Sequence, residues 1–381
     1  MGTLKVDTIQ DSGGNTILSS DGSGGFTNSL PAGKTSSYRN LIINGDMSIA
    51  QRGTSTASIT GTGYFTIDRV KNAMSGFGTW TQSQSTDVPS GEGFGYSLKY
   101  DCTTANASLG ASAFGIFQMS KLEGQMLQHL KKGTANAESL TISFWVKSSK
   151  TGTYIVELFD EDNSRFTNKS YSINSASTWE KKTITFDGDT TGAFNNDNGD
   201  SLSINFWLGA GTTFTTGSLQ TTWGGNTASN RAVGQVNLAD NTANEWYITG
   251  VQLEVGTSAS DFEFLPYDVN FQRCQRYFER LHRDSSGDER VAVGWFNTTT
   301  DFNGLINYNE KRVNPTVTIN NVGSFRVNYL NSATTPSSAS GNFIGKKTCN
   351  TSWGVSGMTA GQGGGVRTDV TTASIDVDAE L

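Results

Sequence analysis

The sequence has 381 residues and a formal net charge of -7; charged residues account for 17% of it, and glycine occurs 44 times. This length predicts two or three domains, since a domain averages about 150 residues. The negative charge, and the lack of any Lys or Arg run longer than a pair, argue against non-specific binding to nucleic acid. No apolar stretch approaches the roughly 20 residues that span a bilayer, and the N-terminus lacks a signal-peptide pattern.

The N-terminal stretch "GTLKVDTIQDSGGNTILSSDGSGG" predicts a β-hairpin with no core of its own. Apolar residues alternate with polar ones on either side of a Gly-Gly turn, and a lone two-stranded hairpin is marginal in water. A Gly- and Ser-rich segment, typical of a flexible linker, follows. We therefore expect residues 1–37 to form a separate element that is ordered when it docks on another protein. The residues that would anchor it are Leu4, Val6, Ile9, Ile17 and Leu18.

Residues 38–268 repeat one pattern of short strands. Segments such as "SLTISFWVKSS", "TYIVELFDE", "SLSINFWLGAG" and "WYITGVQLEVG" alternate β-branched or aromatic residues with others and end in turn-forming residues. Such a series predicts a mainly β fold, an antiparallel β-sandwich or jelly roll.

The pattern changes in "NFQRCQRYFERLHR". Phe271, Cys274, Phe278 and Leu281 recur every three or four residues, which predicts a short amphipathic helix over 269–283. Its apolar stripe would either pair with symmetry mates in a homotrimer or cover the sandwich of its own chain. Strand patterning then returns, so residues 284–381 are predicted to be a smaller C-terminal β domain.

Several phrases together resemble a family of bacteriophage tail fibre proteins with a carbohydrate-binding-module-like jelly roll, as in marine and cyanobacterial podoviruses. They are "NLIINGDMSIAQRGTS", "LTISFWVKSSKTGTY", "TWEKKTITFDGDTTG" and "VQLEVGTSASDFEFLPYDVNFQRCQRYFER", and the opening segment resembles the virion-anchoring N-terminus of such fibres. The similarity covers residues 1–281. It departs from the family at Asp68-Arg69-Val70, where relatives carry an aromatic residue in the third position. The resemblance implies a virion protein, usually trimeric, whose distal end faces the host.

Catalysis has little support in the sequence. His129 and His282 lie in no hydrolase or metalloprotease motif. Asp160, Glu161 and Asp162 could be read as an acid pair for cutting a glycan, but three successive acids after a strand more simply form a solvated turn. We therefore expect no enzyme.

No cofactor and no metal site are expected. The loop "DGDTTGAFNNDNGD" offers Asp187, Asp189, Asp197 and Asp200 as calcium ligands, yet its spacing does not fit an EF-hand, and a polar hairpin loop is the preferred interpretation. The cysteines Cys102, Cys274 and Cys349 are dispersed and contain no C-x-x-C pair. They indicate three reduced thiols in a protein folded in a reducing cytoplasm.

Sugar binding would use exposed aromatic rings, which stack on the apolar face of a pyranose. Trp145, Trp207 and Trp246 lie within strand patterns and are expected to pack in or near the core. Three others lie among Gly, Ser and Thr, where exposure is favoured, and they are the candidate glycan contacts: Trp80, Trp223 and Trp353.

The sequence thus favours a phage tail fibre that attaches to a tail adaptor or nozzle protein through its N-terminus and binds host polysaccharide or lipopolysaccharide. Repetition of the chain in a homotrimer would strengthen a weak surface contact. The first alternative is a polysaccharide-degrading enzyme whose sandwich is its binding module. A second is a non-viral carbohydrate-binding protein, for which the N-terminal hairpin has no role.

Overall fold

The computed structural model describes residues 7–10, 12–13, 16–20, 26–28, 38–282, 289–330 and 332–381. Near the N-terminus three short strands form an antiparallel sheet in the order β1-β2-β3: Thr8–Gln10 (β1), Thr16–Ser20 (β2) and Phe26–Asn28 (β3). The predicted hairpin corresponds to β1 and β2, which pair Ile9 with Leu18. The third strand lies in the segment that was predicted to be a linker.

The middle of the chain is an antiparallel β-sandwich, as predicted. One sheet has six strands in the order β13-β10-β16-β8-β7-β4, and the other has seven in the order β15-β12-β11-β14-β9-β6-β5. The strands are Ser55–Ile59 (β4), Gly63–Tyr64 (β5), Val70–Ser75 (β6), Thr79–Ser85 (β7), Ser97–Thr104 (β8), Phe114–Glu123 (β9), Leu140–Ser148 (β10), Gly152–Asp160 (β11), Arg165–Ile173 (β12), Glu180–Phe186 (β13), Asp200–Ala210 (β14), Gly224–Gly225 (β15) and Glu245–Val255 (β16).

An aromatic cluster fills the space between the two sheets. Phe117 lies 5.5 Å, between ring centroids, from both Phe206 and Trp246, and Tyr100 packs beside them. All four side chains are buried. Their strands alternate inward and outward residues, and each of the four strands places one of these rings on its inward side. Val70, where the sequence resemblance leads one to expect an aromatic residue, is also fully buried in this core.

The two α-helices of the described residues are Thr212–Thr215 (α1) and Tyr267–Gln275 (α2). The helix predicted over 269–283 is therefore too long, and its last part is a strand, Phe278–His282 (β17). Phe278 and Leu281 belong to that strand, since Leu281 pairs with Ile375 far along the chain. Local periodicity carries no information about such distant pairing, which overrides helix propensity. No helix in the described part of the chain is long and apolar enough to cross a membrane.

The C-terminal β domain includes β17 as well as the residues predicted for it. A three-stranded sheet has the order β17-β26-β20, and a seven-stranded sheet has the order β22-β21-β25-β18-β19-β24-β23. The strands are Glu289–Phe296 (β18), Asp301–Asn307 (β19), Thr316–Asn320 (β20), Phe325–Tyr329 (β21), Ser332–Thr334 (β22), Ser338–Asn342 (β23), Thr348–Gly354 (β24), Gly363–Thr368 (β25) and Ser374–Asp378 (β26).

The last residues of the chain return to the sandwich and form buried ion pairs with it. The carboxylate of Glu380 contacts the guanidinium of Arg69 and lies 3.4 Å from that of Arg52. Arg69 is almost fully buried and stacks 3.5 Å above the ring of Tyr277. Because these groups come from both domains, the junction between the sandwich and the C-terminal domain is held by charges that water cannot screen.

Candidate functional site: the open face of the C-terminal sheet

The seven-stranded sheet of the C-terminal domain has one buried face and one open face. Phe296, Phe302 and Trp353 point into the core and are fully buried. The alternate positions of β18 and β19 carry apolar side chains that face solvent: Val293 is 59% exposed and Trp295 is 49% exposed. Leu305, which pairs with Val293, is 39% exposed. The open face therefore presents a large apolar surface around one indole ring.

Glycines on the neighbouring strand β25 leave the sheet surface beside this ring flat, and we call this surface the glycine floor. Trp295 pairs with Gly363, and Val293 pairs with Gly365. A Cβ atom built on Gly363 would meet nothing closer than 3.9 Å, so this position opens onto free space. The side of Trp295 that faces β25 is therefore not covered by a neighbouring side chain, and a flat ligand can lie across it.

Amide and hydroxyl groups flank the apolar surface. On β19, Asn303 pairs with Trp295, and on β21, Asn328 pairs with Gly365. The side chain of Asp301 accepts a hydrogen bond from Ser352 on β24. An aromatic ring beside a few polar groups is the arrangement that binds sugars, because the ring covers the C–H face of the pyranose and the polar groups bind its hydroxyls.

Two of the three tryptophans predicted to contact glycan are in fact core residues. Trp80 is fully buried and donates from Nε1 to the carbonyl of Phe77 at 2.7 Å. Trp353 is fully buried and donates to Thr351 Oγ1 at 2.8 Å. Their Gly-, Ser- and Thr-rich surroundings suggested loops, but both residues lie in strands and point to the inner face, so these two predictions are wrong.

The third candidate, Trp223, is half-buried and lies at the edge of the sandwich. Its Nε1 donates to the carbonyl of Asp187 at 2.8 Å, and the ammonium of Lys132 lies 5.5 Å from its ring centroid. The small cavity at this place also includes Phe194, whose ring is 5.0 Å from the same ammonium. The ring of Trp223 therefore packs against the ammonium of Lys132, and little of the ring is available to a sugar.

The Asp residues weighed as calcium ligands have separate partners within the chain: Asp200 contacts Lys121, Asp197 accepts from the backbone N–H of Gly199, and Asp189 lies beside the ammonium of Lys132. That ammonium lies 2.5 Å from Asp160 and 3.1 Å from Asp189, and it donates to the carbonyls of Thr191 and Gly192 at 3.0 and 2.6 Å. A monovalent cation of the chain itself thus satisfies these oxygens. The described residues contain no group of three or more His, Cys, Asp or Glu side chains that could hold a metal ion.

The acids that were considered for catalysis are likewise bound within the chain. Asp160 is fully buried on Lys132, and its Oδ1 accepts from the backbone N–H of Asn163 at 3.1 Å. Asp162 accepts from the backbone N–H of Asn195 at 3.0 Å. Glu161 accepts from the hydroxyl of Ser203 at 2.8 Å. Glu161 and Asp162 thus lie in the turn that the sequence favoured, whereas Asp160 is the last residue of β11 and is buried rather than solvated.

The outer face of the seven-stranded sandwich sheet is closed by the chain itself. Trp207 points to this face, where it packs with Ala232 and Ile155 rather than in the central core. Arg231 covers the ring at 5.3 Å and forms two hydrogen bonds, of 2.9 and 2.6 Å, with the carboxylate of Glu157. Because loop residues lie over Trp207, this face offers no exposed aromatic platform there.

The remaining predicted residues are placed as follows. Ile9 is 46% exposed in β1, Ile17 and Leu18 lie in β2, and Leu4 and Val6 fall outside the described residues.

Cys274 is fully buried with Ile43, Ile49 and Tyr277, and Phe271 packs against that cluster. These side chains of α2 thus cover their own chain. Whether the chain forms a trimer stays a prediction.

Trp295 was not among the residues predicted to contact glycan. Its segment "RVAVGWFN" carries the strand patterning of the predicted C-terminal β domain, but that patterning alone does not state which of Trp295 and Phe296 faces solvent. The useful signal was the alternation itself: Phe296 is buried, so the residue before it, Trp295, must point to the opposite face. Gly363 and Gly365, in the glycine-rich segment "GQGGG", supply part of the sheet surface on β25 beside Trp295.

No protein-family model and no curated relative matches this sequence. Among solved structures, the enzymatically active domain of tailspike protein 4 from bacteriophage CBA120 is 16% identical; the match covers 58% of this chain and 22% of that one, with a TM-score of 0.32. The CBM22-1 xylan-binding domain of Paenibacillus barcinonensis Xyn10C is 11% identical over 58% of this chain and 96% of that one, with a TM-score of 0.26.

A family 11 carbohydrate-binding module of a Clostridium thermocellum cellulase is 12% identical over 57% of this chain and 95% of its own, with a TM-score of 0.26. The structural neighbours thus include a phage tailspike domain and several carbohydrate-binding modules.

Proposed function

We propose that this chain is a phage tail fibre, a virion structural protein that attaches to the tail through its N-terminal sheet and adheres to a host-surface glycan. One observation carries the adhesion: Trp295 is half exposed on a flat sheet face, beside a glycine floor and amide side chains. A soluble domain gains nothing from exposing such a ring with no partner, so contiguous exposed apolar surface points to an interaction site.

The N-terminal part of the proposal rests on the size of the β1-β2-β3 sheet. Its three strands have three, five and three residues, and Ile9 is half exposed. So small a sheet has little core to stabilise it in isolation, whereas its edge strands can pair with a strand of a tail adaptor or nozzle protein. Slow amide exchange across residues 3–18 in the free protein would contradict this role.

Adhesion is proposed rather than cleavage because the acids examined in the sandwich are bound to cations and amides of the chain. Purified protein should bind glycans extracted from the host surface without releasing reducing ends. Replacement Trp295→Ala should weaken binding at least about tenfold, the equivalent of 1.4 kcal/mol. Trp145→Ala, which changes a partly exposed tryptophan on the six-stranded sandwich sheet, is the matched control and should leave binding unchanged.

Four results would overturn parts of this proposal. Release of reducing ends would favour the polysaccharide-degrading enzyme. Unchanged glycan binding by Trp295→Ala would remove the open face as the contact site. Deletion of residues 1–30 without loss of incorporation into virions would remove the N-terminal sheet as the site of attachment, and absence of the full chain from virions would favour a non-viral carbohydrate-binding protein. We also propose a homotrimer as the working assembly, which the mass of the purified protein in solution tests directly.

A further inference from the structure

Three arginines form a row across the open face. Arg290 on β18 pairs with Arg367 on β25, which pairs in turn with Arg326 on β21. Directly paired residues of neighbouring strands point to the same face, so the three side chains rise from adjacent strands spaced about 4.8 Å apart. They lie on the same face as Trp295, because Arg367 is two residues from Gly365 and four from Gly363 on β25.

Such a row is unfavourable for the sheet itself, since like charges directly opposite each other destabilise paired strands. Arg326 is held in place by an ion pair of 2.9 Å with Asp369 and by donating to the carbonyls of Gly323 and Phe325. Arg290 is exposed. A concentration of guanidinium groups on one face of a chain with net charge -7 is favoured when an anion binds there.

The row is close enough to Trp295 for one ligand to contact both. An Nη atom of Arg290 lies 3.2 Å from where a Cβ atom on Gly365 would be, so its guanidinium rests on the glycine floor. Gly363, which pairs with Trp295, lies two residues from Gly365, or about 7 Å along the strand. A sugar stacked on the indole can therefore direct a substituent towards Arg290.

We propose that the open face selects an acidic glycan, with a sugar ring on Trp295 and a carboxylate or phosphate group of the glycan on the arginine row. This rests on the proposed glycan adhesion and adds the chemical class of the ligand. Guanidinium groups bind carboxylate and phosphate through two parallel N–H donors, which a lysine cannot reproduce. Association of two copies through this face is disfavoured, since it would bring two arginine rows together.

The test measures binding of the full chain to three sets of oligosaccharides: galacturonan fragments, phosphomannan fragments and neutral galactan fragments. Arg290→Gln should weaken binding of an acidic set about tenfold and leave the neutral set unchanged. The control Lys347→Gln removes the same charge at a residue that pairs with Glu310 at 3.2 Å, outside the row, and should change neither. Raising the salt concentration should reduce the preference for the acidic sets.

Arg290→Lys separates charge from geometry and should recover only part of the affinity. Gly363→Val adds a side chain in open space beside Trp295 and should weaken binding of every set without altering the thermal midpoint. Comparison of the carboxylate set with the phosphate set identifies which anionic group is preferred.

The outcomes separate the inference from the proposed function. If neutral and acidic sets bind equally and Arg290→Gln changes neither, the preference for an acidic glycan is wrong, while glycan adhesion stands. If no set binds at millimolar concentration, both are wrong. Binding of double-stranded DNA or of anionic lipid vesicles that responds to Arg290→Gln, with no binding of oligosaccharides, would assign the row to another class of ligand. A change from oligomer to monomer in Trp295→Ala would make the face a self-association surface.

Discussion

Glu380 should be a main determinant of the junction between the two large domains. Its side chain is 3% exposed, and its carboxylate contacts Arg69, which is 1% exposed, and Arg52, which is 6% exposed. Replacement Glu380→Gln keeps the shape of the side chain but removes its charge. Two guanidinium groups of the sandwich would then face a neutral amide in a place from which water is excluded.

The magnitude follows from this burial. Removing one partner of a buried ion pair costs about 3–5 kcal/mol, because the other charge is left without compensation. The nearby charges reduce this cost for Arg52, which lies 3.2 Å from Asp378 and 3.8 Å from Asp68. Arg69 has no such second carboxylate among its described contacts. Burial lowers the pKa of Arg69, but the charge of Glu380 contributes most to raising that pKa above its ordinary value. We therefore expect Glu380→Gln to lower the free energy of unfolding by about 3 kcal/mol.

The assay is chemical denaturation monitored by tryptophan fluorescence, applied to Glu380→Gln and to a cycle of Arg69→Met, Glu380→Leu and the double variant Arg69→Met/Glu380→Leu. Replacing both partners by apolar residues removes both buried charges, so the double variant should be more stable than either single variant. Trp295→Ala, at an exposed site away from the junction, is the control. A loss below about 1 kcal/mol in Glu380→Gln, or additive losses in the double variant, would refute a stabilising junction built on buried charge.

Three further predictions concern the interior. Burial raises the pKa of Asp68 from its ordinary 3.8 to about 6, so the stability gained from protonating Asp68 is complete below about pH 4 and is lost as the pH rises through 6. Asp68→Asn should remove about 3 kcal/mol of this pH dependence from the free energy of unfolding, measured by denaturation between pH 4 and pH 6, and an unchanged slope would contradict it. Lys132→Met should lower the free energy of unfolding by about 3–5 kcal/mol, because it leaves Asp160 and Asp189 without their cation. Calcium or a chelator should leave the melting temperature of the unmodified protein unchanged, and a calcium-dependent rise would show that Lys132 does not satisfy these carboxylates. Trp353→Ala should cost about 3–5 kcal/mol in denaturation and Trp295→Ala less than about 0.5, and equal losses would contradict their placement on opposite faces of the sheet.

The alternation of apolar and polar residues predicted most strands of the sandwich, because a sheet with one buried face places every second side chain in the core. The segments "SLTISFWVKSS" and "SLSINFWLGAG" contain β10 and β14, although β14 is buried on both faces over 201–209, so its burial does not alternate as its sequence does. The apolar spacing from Phe271 to Leu281 failed as a helix signal for a related reason. A spacing of three or four residues over one short run also fits a helical turn followed by a strand, and only the partner strand β26 decides between them.

The exposure of tryptophans was poorly predicted because it depends on which face of a strand a residue occupies. Local composition places Trp80 and Trp353 in polar surroundings, yet the register with neighbouring strands points both inward. Trp207 shows the converse: it points away from the core but is covered by Arg231 and its loop. Loops that fold back over a sheet leave no periodic signal, so exposure at such positions requires the tertiary structure.

The buried junction also bears on how the open face would work. Arg312 of the C-terminal domain donates to the carbonyl of Asn198 in the sandwich at 2.7 Å and to that of Ala379 at 2.6 Å, so contacts between the domains extend beyond Glu380. A binding face attached through buried ion pairs loses less orientational freedom on contact with a surface than one attached through a flexible linker. If several chains are joined at their N-terminal sheets, such fixed faces raise the effective concentration of the second contact only when their spacing matches the glycan. Weakening the junction through Glu380→Gln should therefore reduce adhesion to a glycan-coated surface more than binding of a single oligosaccharide in solution, and equal effects on the two would argue that the junction plays no part in adhesion.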